Sequence, residues 1–407
     1  MGKLTALDNI IQAAKASAAG LSEVTASAGH APAHTGFPAP GEAPDHILVR
    51  GDNNAVMRQL LACGYGGAFQ CIYLDPPFLS GADYQATVRI RSEKLGEELS
   101  VKVPAYQDTW TDGKGRGGSE EGREAYYKML AENLVLARQL LADTGLLWLH
   151  LDWHTVHYAR VMLDEIFGEE RFLNEIIWQY KSGGSTKKHF ARKHDTILVY
   201  AKAADYRIHI DKEKSYNRGL KPYRFKGVEE FEDETGWYTL VNAKDVWQID
   251  MVGRTSAERN GYATQKPLAL MERIVKASSE EGDLIGDFCC GSGGFLEAGA
   301  KLGRRTAGCD RSMLAAALAE KRLLDGGYPY QRYDMDAESL PEGSDGDFAG
   351  QDSLLGGLKP ADRTMLQRIA SEDPQALVLF ETALPDGRRR KVDVFGRETV
   401  ISCTRDA

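Results

Sequence analysis

The chain has 407 residues, a net charge of −9 and a hydrophobic content of 43%, which is typical of a globular protein large enough for several domains. No apolar run reaches membrane-spanning length, and the N-terminus lacks the basic and apolar regions of a signal peptide, so neither a membrane protein nor a secreted one is expected. The six cysteines include no Cys-x-x-Cys pair, which predicts a reduced cytoplasmic protein without a zinc site.

The chain begins with a segment of low complexity. Residues 1–45, rich in Ala, Ser, Gly and Pro, are predicted to be flexible, with a weak helix over Asp8–Ala19. The sequence then predicts a strand over His46–Val49 and a helix over Asn54–Cys63. The short apolar run Cys71–Leu74 predicts a buried strand.

Asp75-Pro76-Pro77-Phe78 follows this strand directly. Two prolines fix two φ angles and remove two N–H donors, so the Pro76 carbonyl is held close to the Asp75 carboxylate. Two acceptors beside a flat ring suit the exocyclic amino group of a flipped-out base. An ordinary proline-rich turn is the alternative, and it would be favoured if this motif stood alone.

The next stretch, 79–122, is polar and rich in Gly, with little periodicity, which predicts either a functional loop or disorder. Helical spacing of apolar residues predicts helices over Arg123–Ala142 and Thr155–Phe167, on either side of a buried strand at Leu146–Leu151. Three histidines here, without Cys or carboxylate at metal-binding spacing, are predicted to be structural or solvent-facing: His150, His154 and His157.

Positive charge is concentrated in residues 181–226. This segment has thirteen basic and four acidic residues, a net charge of +9, so the remainder carries −18. Such a basic segment on an acidic scaffold predicts contact with a polyanion, and a solvated lysine-rich surface is the alternative. Strands are predicted over Asn174–Tyr180 and Thr196–Ala201, and the loop between them holds the candidates for this contact: Lys187, Lys188, Arg192 and Lys193. Residues 203–261 then interleave aromatic residues with Lys and Arg, which suits contact with a DNA backbone and stacking on bases.

A glycine-rich loop lies within Asp283–Phe295, whose pattern is strand, loop and helix. Gly291 and Gly293 let the backbone approach a ligand closely, although a glycine turn alone is weak evidence. Arg305–Cys309 predicts another strand, and Asp310 at its end suits a ribose diol. The loop lacks the Gly-Lys-Ser/Thr ending that binds a triphosphate.

The remaining predictions concern helices and the C-terminal region. Thr264 is the predicted N-cap of a helix with Pro267 in its first turn, and Met313–Leu324 is a second helix. Beyond residue 330 the sequence predicts a helix and short strands, without a role: Ala361–Ala370, Ala376–Phe380, Lys391–Phe395 and Thr399–Cys403, with a turn at Pro385-Asp386-Gly387.

The two loops in this order resemble the β class of S-adenosylmethionine-dependent DNA adenine-N6 methyltransferases, a site-specific family similar to type III modification subunits. The resemblance rests on Asp-Pro-Pro-Phe at 75–78 followed by Asp-Phe-Cys-Cys-Gly-Ser-Gly-Gly at 287–294. It is supported by Gly51-Asp52-Asn53, by Thr264-Gln265-Lys266-Pro267 and by His194–Tyr200, which resembles the last strand of the family's sheet. Gly294 stands where the family usually has Thr.

The resemblance implies an α/β fold: a Rossmann-like methyltransferase fold, circularly permuted, with an inserted target-recognition segment and a small C-terminal extension. The implied units are a flexible segment, the catalytic half, the target-recognition segment, the cofactor-binding half and the extension: 1–45, 46–202, 203–261, 262–328 and 329–407.

The resemblance also implies the roles of the candidate residues. The catalytic group is Asp75, Pro76, Pro77 and Phe78. The group that binds S-adenosyl-L-methionine is Asp52, Lys266, Asp287, Phe288, Gly291, Gly293 and Asp310. No metal is expected. The expected partner is double-stranded DNA, with a restriction endonuclease and a second copy of the chain as further candidates.

Three alternatives remain open. Cytosine-N4 methylation is the nearest, although family members that act on cytosine more often carry Ser where Asp75 stands. A catalytically idle DNA-binding subunit is disfavoured by the intact motif at residues 75–78. A Rossmann oxidoreductase is disfavoured because no early Gly-x-Gly-x-x-Gly is present.

Overall fold

The computed structural model describes residues 2–27, 37–110, 120–181, 187–335, 359–383 and 388–401. The helices of these ranges are α1 (Gly2–Ser27), α2 (Asn53–Ala62), α3 (Glu120–Leu140), α4 (Val156–Phe167), α5 (Leu268–Ser278), α6 (Gly294–Lys301), α7 (Met313–Asp325) and α8 (Pro360–Glu372). The strands are β1 (His46–Arg50), β2 (Phe69–Leu74), β3 (Tyr84–Ser92), β4 (Glu97–Tyr106), β5 (Leu141–Leu151), β6 (Phe172–Gln179), β7 (His194–Ala201), β8 (Lys212–Tyr216), β9 (Phe231–Glu232), β10 (Trp237–Asn242), β11 (Val246–Gln248), β12 (Leu284–Asp287), β13 (Arg305–Asp310), β14 (Tyr330–Asp334), β15 (Val378–Ala383), β16 (Arg389–Asp393) and β17 (Glu398–Ile401).

A nine-stranded sheet with the order β11-β6-β7-β5-β2-β12-β13-β1-β14 forms the centre. β7 runs antiparallel to its neighbours β5 and β6, and every other neighbouring pair is parallel. The predicted strand at His194–Tyr200 is thus β7, but it lies inside the sheet, because β6 and β11 extend it further.

The central strands β2 and β12 are buried along their whole length because both faces of the sheet are covered by helices there. In β2, Ile72 and Leu74 belong to the core beneath α2, α3 and α4, whereas Cys71 and Tyr73 belong to the core beneath α5 and α6. This arrangement confirms the predicted α/β fold. The strand that precedes Asp75 lies directly beside β12, which precedes the glycine loop, as the permuted order predicts.

The predicted weak helix over Asp8–Ala19 is confirmed and extends over Gly2–Ser27 as α1, so the prediction of a flexible segment is wrong for these residues. α1 buries Leu7, Ile10, Ile11, Ala14 and Ala18 in the same core as α3. These residues recur at helical spacing, so the signal was present, but the Ala-rich composition obscured it. Residues 28–36 lie outside the described residues.

The stretch 79–122 contains a β-hairpin, β3–β4, where the sequence analysis found little periodicity. Its buried residues alternate with exposed ones along both strands, which is the pattern of a strand with one covered face. The covered face packs against Leu366 and Ile369 of α8 and against Leu377. The prediction of a loop or disorder is therefore wrong for 84–106, and 111–119 lie outside the described residues.

Two of the predicted boundaries also need correction. Within 203–261, β8, β10 and β9 form a small separate sheet, but β11 pairs with β6 at the edge of the main sheet. β14 pairs with β1, so the main sheet continues past residue 328. The C-terminal module that follows consists of α8 and the sheet β15-β16-β17, while the predicted turn at 385–387 and Cys403 lie outside the described residues.

Thr264 is not the N-cap of the following helix. α5 begins at Leu268 with Pro267 in the cap position, and the Leu268 N–H donates to the carboxylate of Glu258 at 2.7 Å. A side chain from the preceding loop therefore satisfies a donor at this helix N-terminus, as a capping residue otherwise would.

No described helix is long and apolar enough to cross a membrane.

Candidate active site

The carboxyl ends of β2, β12 and β13 open into a cavity of about 680 Å³, a volume in the range of small-molecule sites. Most of the predicted site residues form its wall: Asp52, Asp75, Pro76, Pro77, Phe78, Lys266, Asp287, Phe288, Gly291 and Asp310. Gly293 and the four basic candidates at 187, 188, 192 and 193 lie outside this wall. The fold therefore brings together residues that are as far apart in sequence as Asp52 and Asp310.

The two oxygens of Asp75 have different surroundings. Oδ2 forms an ion pair with the Lys266 ammonium, which reaches it from the loop before α5. Oδ1 is buried and has no hydrogen-bond partner among the described residues, and the nearest cationic candidate, His150 Nδ1, is 3.9 Å away. Lys266 was predicted to hold the cofactor, and its contact with Asp75 was not foreseen.

A chain of hydrogen bonds lies behind Asp75. Tyr73 Oη is 2.7 Å from Nδ1 of the buried His150, whose Nε2 is 3.3 Å from Oδ2 of Asp195. Tyr180 donates its hydroxyl to the other oxygen of Asp195 at 3.0 Å. Although burial acts to raise it, the hydrogen bond from His150 holds the pKa of Asp195 below its ordinary value.

His150 was placed among structural or solvent-facing histidines, and the structure confirms that it is buried but adds contacts at the site. Its ring is 5.9 Å from the Phe78 ring, and the Lys266 ammonium lies 5.4 Å from the same ring. The sequence signal that could have indicated this place at the site is the position of His150 near the end of β5, the strand that pairs with β2. Ends of neighbouring parallel strands meet at one edge of a sheet.

The loop after Phe78 is fixed by Asp108, which is fully buried. Its carboxylate accepts the N–H groups of Leu79 and Ser80, at 2.9 and 2.8 Å, and the Ser80 hydroxyl at 2.6 Å. Tyr84 and Tyr106, at the base of the hairpin, stack with ring centroids 4.8 Å apart and line the cavity. These residues were missed because 79–122 was interpreted as irregular.

The glycine loop is bound to the carboxylate of Asp310. The Gly291 N–H donates to Oδ2 at 2.9 Å, and the Ser312 N–H donates to Oδ1 at 2.8 Å. Burial nevertheless raises the pKa of Asp310 to about 6. Gly293, with φ of 79°, turns toward α7, where a Cβ would lie 2.7 Å from Ala319, so its role here is close packing.

The other cofactor candidates differ in exposure. Asp52 is exposed and caps α2 by accepting the Ala55 N–H at 3.1 Å. Asp287 is buried, which raises the pKa of its carboxyl well above the ordinary value. Phe288 is buried against Phe69, with ring centroids 5.6 Å apart. In the described residues no group of three or more His, Cys, Asp or Glu is arranged to hold a metal ion.

The basic candidates lie at the same edge of the sheet. They follow β6 and precede β7, and because β6 is parallel to β5 and β2, its loop leaves from the carboxyl edge. Lys187, Lys188 and Arg192 are exposed. The Arg192 guanidinium stacks 3.7 Å above the Trp153 ring, a cation–π contact with the loop after β5.

A Rossmann-like sheet, a cavity at its carboxyl edge and an Asp-Pro-Pro-Phe loop facing a glycine loop define a methyltransferase of nucleic-acid amino groups. The family model described as DNA methylase, for N6 and N4 enzymes, matches residues 69–321, more than half of the chain. The chain belongs to this family and is a DNA methyltransferase.

Curated relatives agree with this assignment. The type II methyltransferase M.EcaI of Enterobacter cloacae is 28% identical over 346 residues, which cover 70% of this chain and 71% of the relative. The Mod subunit of the type III restriction-modification enzyme EcoP15I of Escherichia coli is 24% identical over 50% of this chain, which spans 33% of that relative. Among solved structures, the M1.HpyAVI–SAM complex is 16% identical, with a TM-score of 0.42, and covers 68% of this chain and 98% of that one.

Proposed function

We propose that this DNA methyltransferase transfers a methyl group from S-adenosylmethionine to the N6 amino group of adenine, at a specific sequence and after base flipping. The observation that carries the proposal is the Oδ1 atom of Asp75, a buried acceptor without a partner among the described residues. Leaving such a group unsatisfied costs about 1–3 kcal/mol. An amino group that enters the pocket beside Phe78 would satisfy it.

Other residues in the wall of the cavity fit S-adenosylmethionine, which supplies an electrophilic methyl group. Asp310 has the position and the charge to accept a ribose diol, and the Gly291 backbone lets a ligand approach closely. Lys266 is a cation within the same wall, suited to the carboxylate of the cofactor. Asp52 and Phe288 are assigned to the adenine end.

The catalytic residues orient the amino group. Asp75 and the carbonyl of Pro76 accept its two N–H groups, and Phe78 stacks on the base, so that the nitrogen lone pair points along the axis of transfer. A carboxylate is too weak a base to ionise an aromatic amine beforehand. Asp75 therefore takes the proton as the N–C bond forms, and Lys266 stabilises the charged carboxylate until then.

Mass spectrometry of nucleosides tests the proposal. Purified protein is incubated with genomic DNA and S-adenosylmethionine that carries a labelled methyl group, in the presence of EDTA. Labelled N6-methyladenine is the expected product, and sequencing of the methylated DNA identifies the site. Detection of labelled N4-methylcytosine would instead identify cytosine as the target. The absence of any labelled base would contradict the proposal.

The names of two relatives support a role for this protein in a restriction-modification system, since one is a type II methyltransferase and the other is a type III Mod subunit. A companion endonuclease, a homodimer and a cytoplasmic location belong to the same proposal. Size measurement of the purified protein with and without DNA checks the dimer directly.

A further inference from the structure

We propose that Phe190 is the wedge that enters the DNA base stack where the target base has left it. The inference deepens the proposed function and rests on its base-flipping step. It concerns residues 187–193, termed the basic segment, which precede β7.

Phe190 is 98% exposed, which makes it the most exposed of the large apolar side chains in the described residues. An apolar ring held fully in water is unfavourable for the isolated protein, so it indicates a surface that is covered by something else. Its neighbours in the basic segment, Lys187, Lys188 and Arg192, carry the charge that attracts a polyanion. DNA supplies both the phosphates for these cations and an apolar stack for the ring.

Hydrogen bonds connect the C-terminal end of the basic segment to residues beside the active site. The Tyr180 N–H donates to the Lys193 carbonyl at 3.0 Å, and the Tyr180 hydroxyl donates to Asp195 at 3.0 Å. Asp195 in turn lies 3.3 Å from His150, whose ring is 5.9 Å from that of Phe78. Asp195, two residues after the segment, therefore contacts the same histidine that lies beside the predicted base-stacking ring.

A second contact braces the segment near Phe190. Arg192 stacks 3.7 Å above Trp153, which is three residues after His150 and so at most about 11 Å from it along the chain. Phe190 is two residues from Arg192, a span of at most about 7 Å. His189 Nδ1 lies 2.8 Å from the Phe190 carbonyl, which further limits the backbone. The backbone that carries Phe190 is thus held by the contacts of Arg192 and His189, at the same edge of the sheet as the cavity.

Apolar side chains that insert between base steps are a recurrent device of proteins that unstack DNA. A wedge stabilises the flipped state by filling the space that the base leaves, so it acts on the flipping equilibrium and not on the methyl transfer that follows. A mismatched base flips at lower cost, because its pairing is already lost. The contribution of a wedge should therefore be large on a paired target and small on a mismatched one.

The test compares Phe190→Ala with wild type on two duplexes that contain the methylation site. One duplex has a normal pair at the target and the other a mismatch opposite it. We expect Phe190→Ala to lose about tenfold or more in methylation rate on the paired duplex, and to recover most of that loss on the mismatched one. Phe190→Trp, which keeps an aromatic wedge, should retain most of the activity. Val161→Ala removes an exposed apolar side chain from α4 and serves as the control.

A fluorescent 2-aminopurine at the target reports flipping independently of chemistry, and its signal should fall in Phe190→Ala on the paired duplex. Equal rates for Phe190→Ala and wild type on the paired duplex would overturn the inference. Equal losses on both duplexes would overturn it too, since they would indicate a role after flipping. Wild-type protein that methylates neither duplex would instead contradict the proposed function, so the two failures are distinguishable.

Discussion

The two carboxylate oxygens of Asp75 have different contacts. Its Oδ2 contacts Lys266, whereas its Oδ1 is buried and has no hydrogen-bond partner among the described residues. A base that donates to Oδ1 joins this arrangement without displacing Lys266. In the proposed mode of cofactor binding, the cofactor carboxylate would compete with Asp75 for the Lys266 ammonium, which would link the occupancy of the two halves of the cavity.

Removal of the Asp75 carboxylate should lower the rate of the chemical step, measured when the cofactor is already bound. We expect Asp75→Ala to lower the rate of methyl transfer by roughly a hundredfold or more, the effect of losing one oriented catalytic group. Single-turnover assays with saturating cofactor measure this rate. Asp83→Ala removes an exposed carboxylate that, within the described part of the chain, accepts a hydrogen bond from Thr109, and it is the matched control. Methyl transfer by Asp75→Ala at the wild-type rate would eliminate Asp75 as the catalytic acceptor.

Asp310 should make cofactor binding depend on pH. Burial raises the pKa of this carboxyl to about 6, so it is neutral below that pH and charged above it. A charged carboxylate accepts hydrogen bonds from a diol more strongly than a neutral carboxyl. Affinity for S-adenosylmethionine should therefore rise by up to about tenfold between about pH 5 and pH 7, and then level off.

Calorimetry over this pH range measures the effect. The groups that contact the Asp310 carboxylate are the N–H donors of Gly291 and Ser312, which do not titrate. Asp310→Asn should bind more weakly and lose the pH dependence. An affinity of the wild-type protein that is constant from pH 5 to 7 would show that Asp310 does not contact the diol.

The loop between β6 and β7 illustrates how an element gains a role from its place in the sheet. β6 is parallel to β5 and β2, so its basic loop leaves at the edge where Asp75 lies, whereas β7 returns in the opposite direction. Had β6 been antiparallel to β2, the same basic residues would lie at the far end of the molecule.

Neutralisation of three lysines in this loop should change the salt dependence of DNA binding. Replacement of Lys187, Lys188 and Lys193 by Gln should lower the log–log salt slope by about 2 to 3, because each phosphate contact contributes about 0.9. Fluorescence anisotropy at several salt concentrations measures the slope.

A matched triple replacement changes the net charge equally without touching the loop. Lys128, Lys276 and Lys321 pair with acidic residues one helical turn away on α3, α5 and α7, and their replacement by Gln should leave the slope close to that of wild type. The same slope in both triple variants would mean that residues 187–193 make no phosphate contacts.

A cluster of buried charged side chains connects the C-terminal module to the main sheet. Glu320 of α7, which is fully buried, bonds Arg332 of β14 at 2.9 Å, accepts the Tyr330 hydroxyl at 2.6 Å and contacts Arg390 of β16. Arg390 also pairs with Glu398 of β17. Together with the apolar contacts of the hairpin and α8, this cluster makes the module part of the same folded unit.

Breaking the cluster should destabilise the protein. Glu320→Ala removes a buried carboxylate that is shared by the guanidinium groups of Arg332 and Arg390, so the free energy of unfolding should fall by about 3–5 kcal/mol. Denaturant titration followed by tryptophan fluorescence measures it. Lys321→Ala, the next residue on α7, breaks only the exposed pair with Asp325 and should change stability by about 1 kcal/mol or less. An unchanged midpoint in Glu320→Ala would show that the module is held by its apolar contacts alone.

The parts of this protein that depend on local chemistry were readable from the chain. The apolar runs of β2, β12 and β13, the helical spacing in α3 and α4, and the loops at Asp75 and Gly291 each carry their signal within a few residues. Their order along the chain was enough for the family, the α/β fold and the two sides of the cavity. The hairpin β3–β4 carried a local signal as well, in the alternation of Ala86, Val88 and Ile90, which the Gly-rich surroundings concealed.

The contacts that complete the site join residues far apart in the chain, and no local pattern encodes them. The ion pair of Lys266 with Asp75 spans 191 residues, and the contact of His150 with Asp195 spans 45. Each arises because strands distant in sequence end side by side at one edge of the sheet. The place of residues 187–193 at the carboxyl edge follows from the same cause, since strand order, rather than composition, decides at which edge of the sheet a loop leaves.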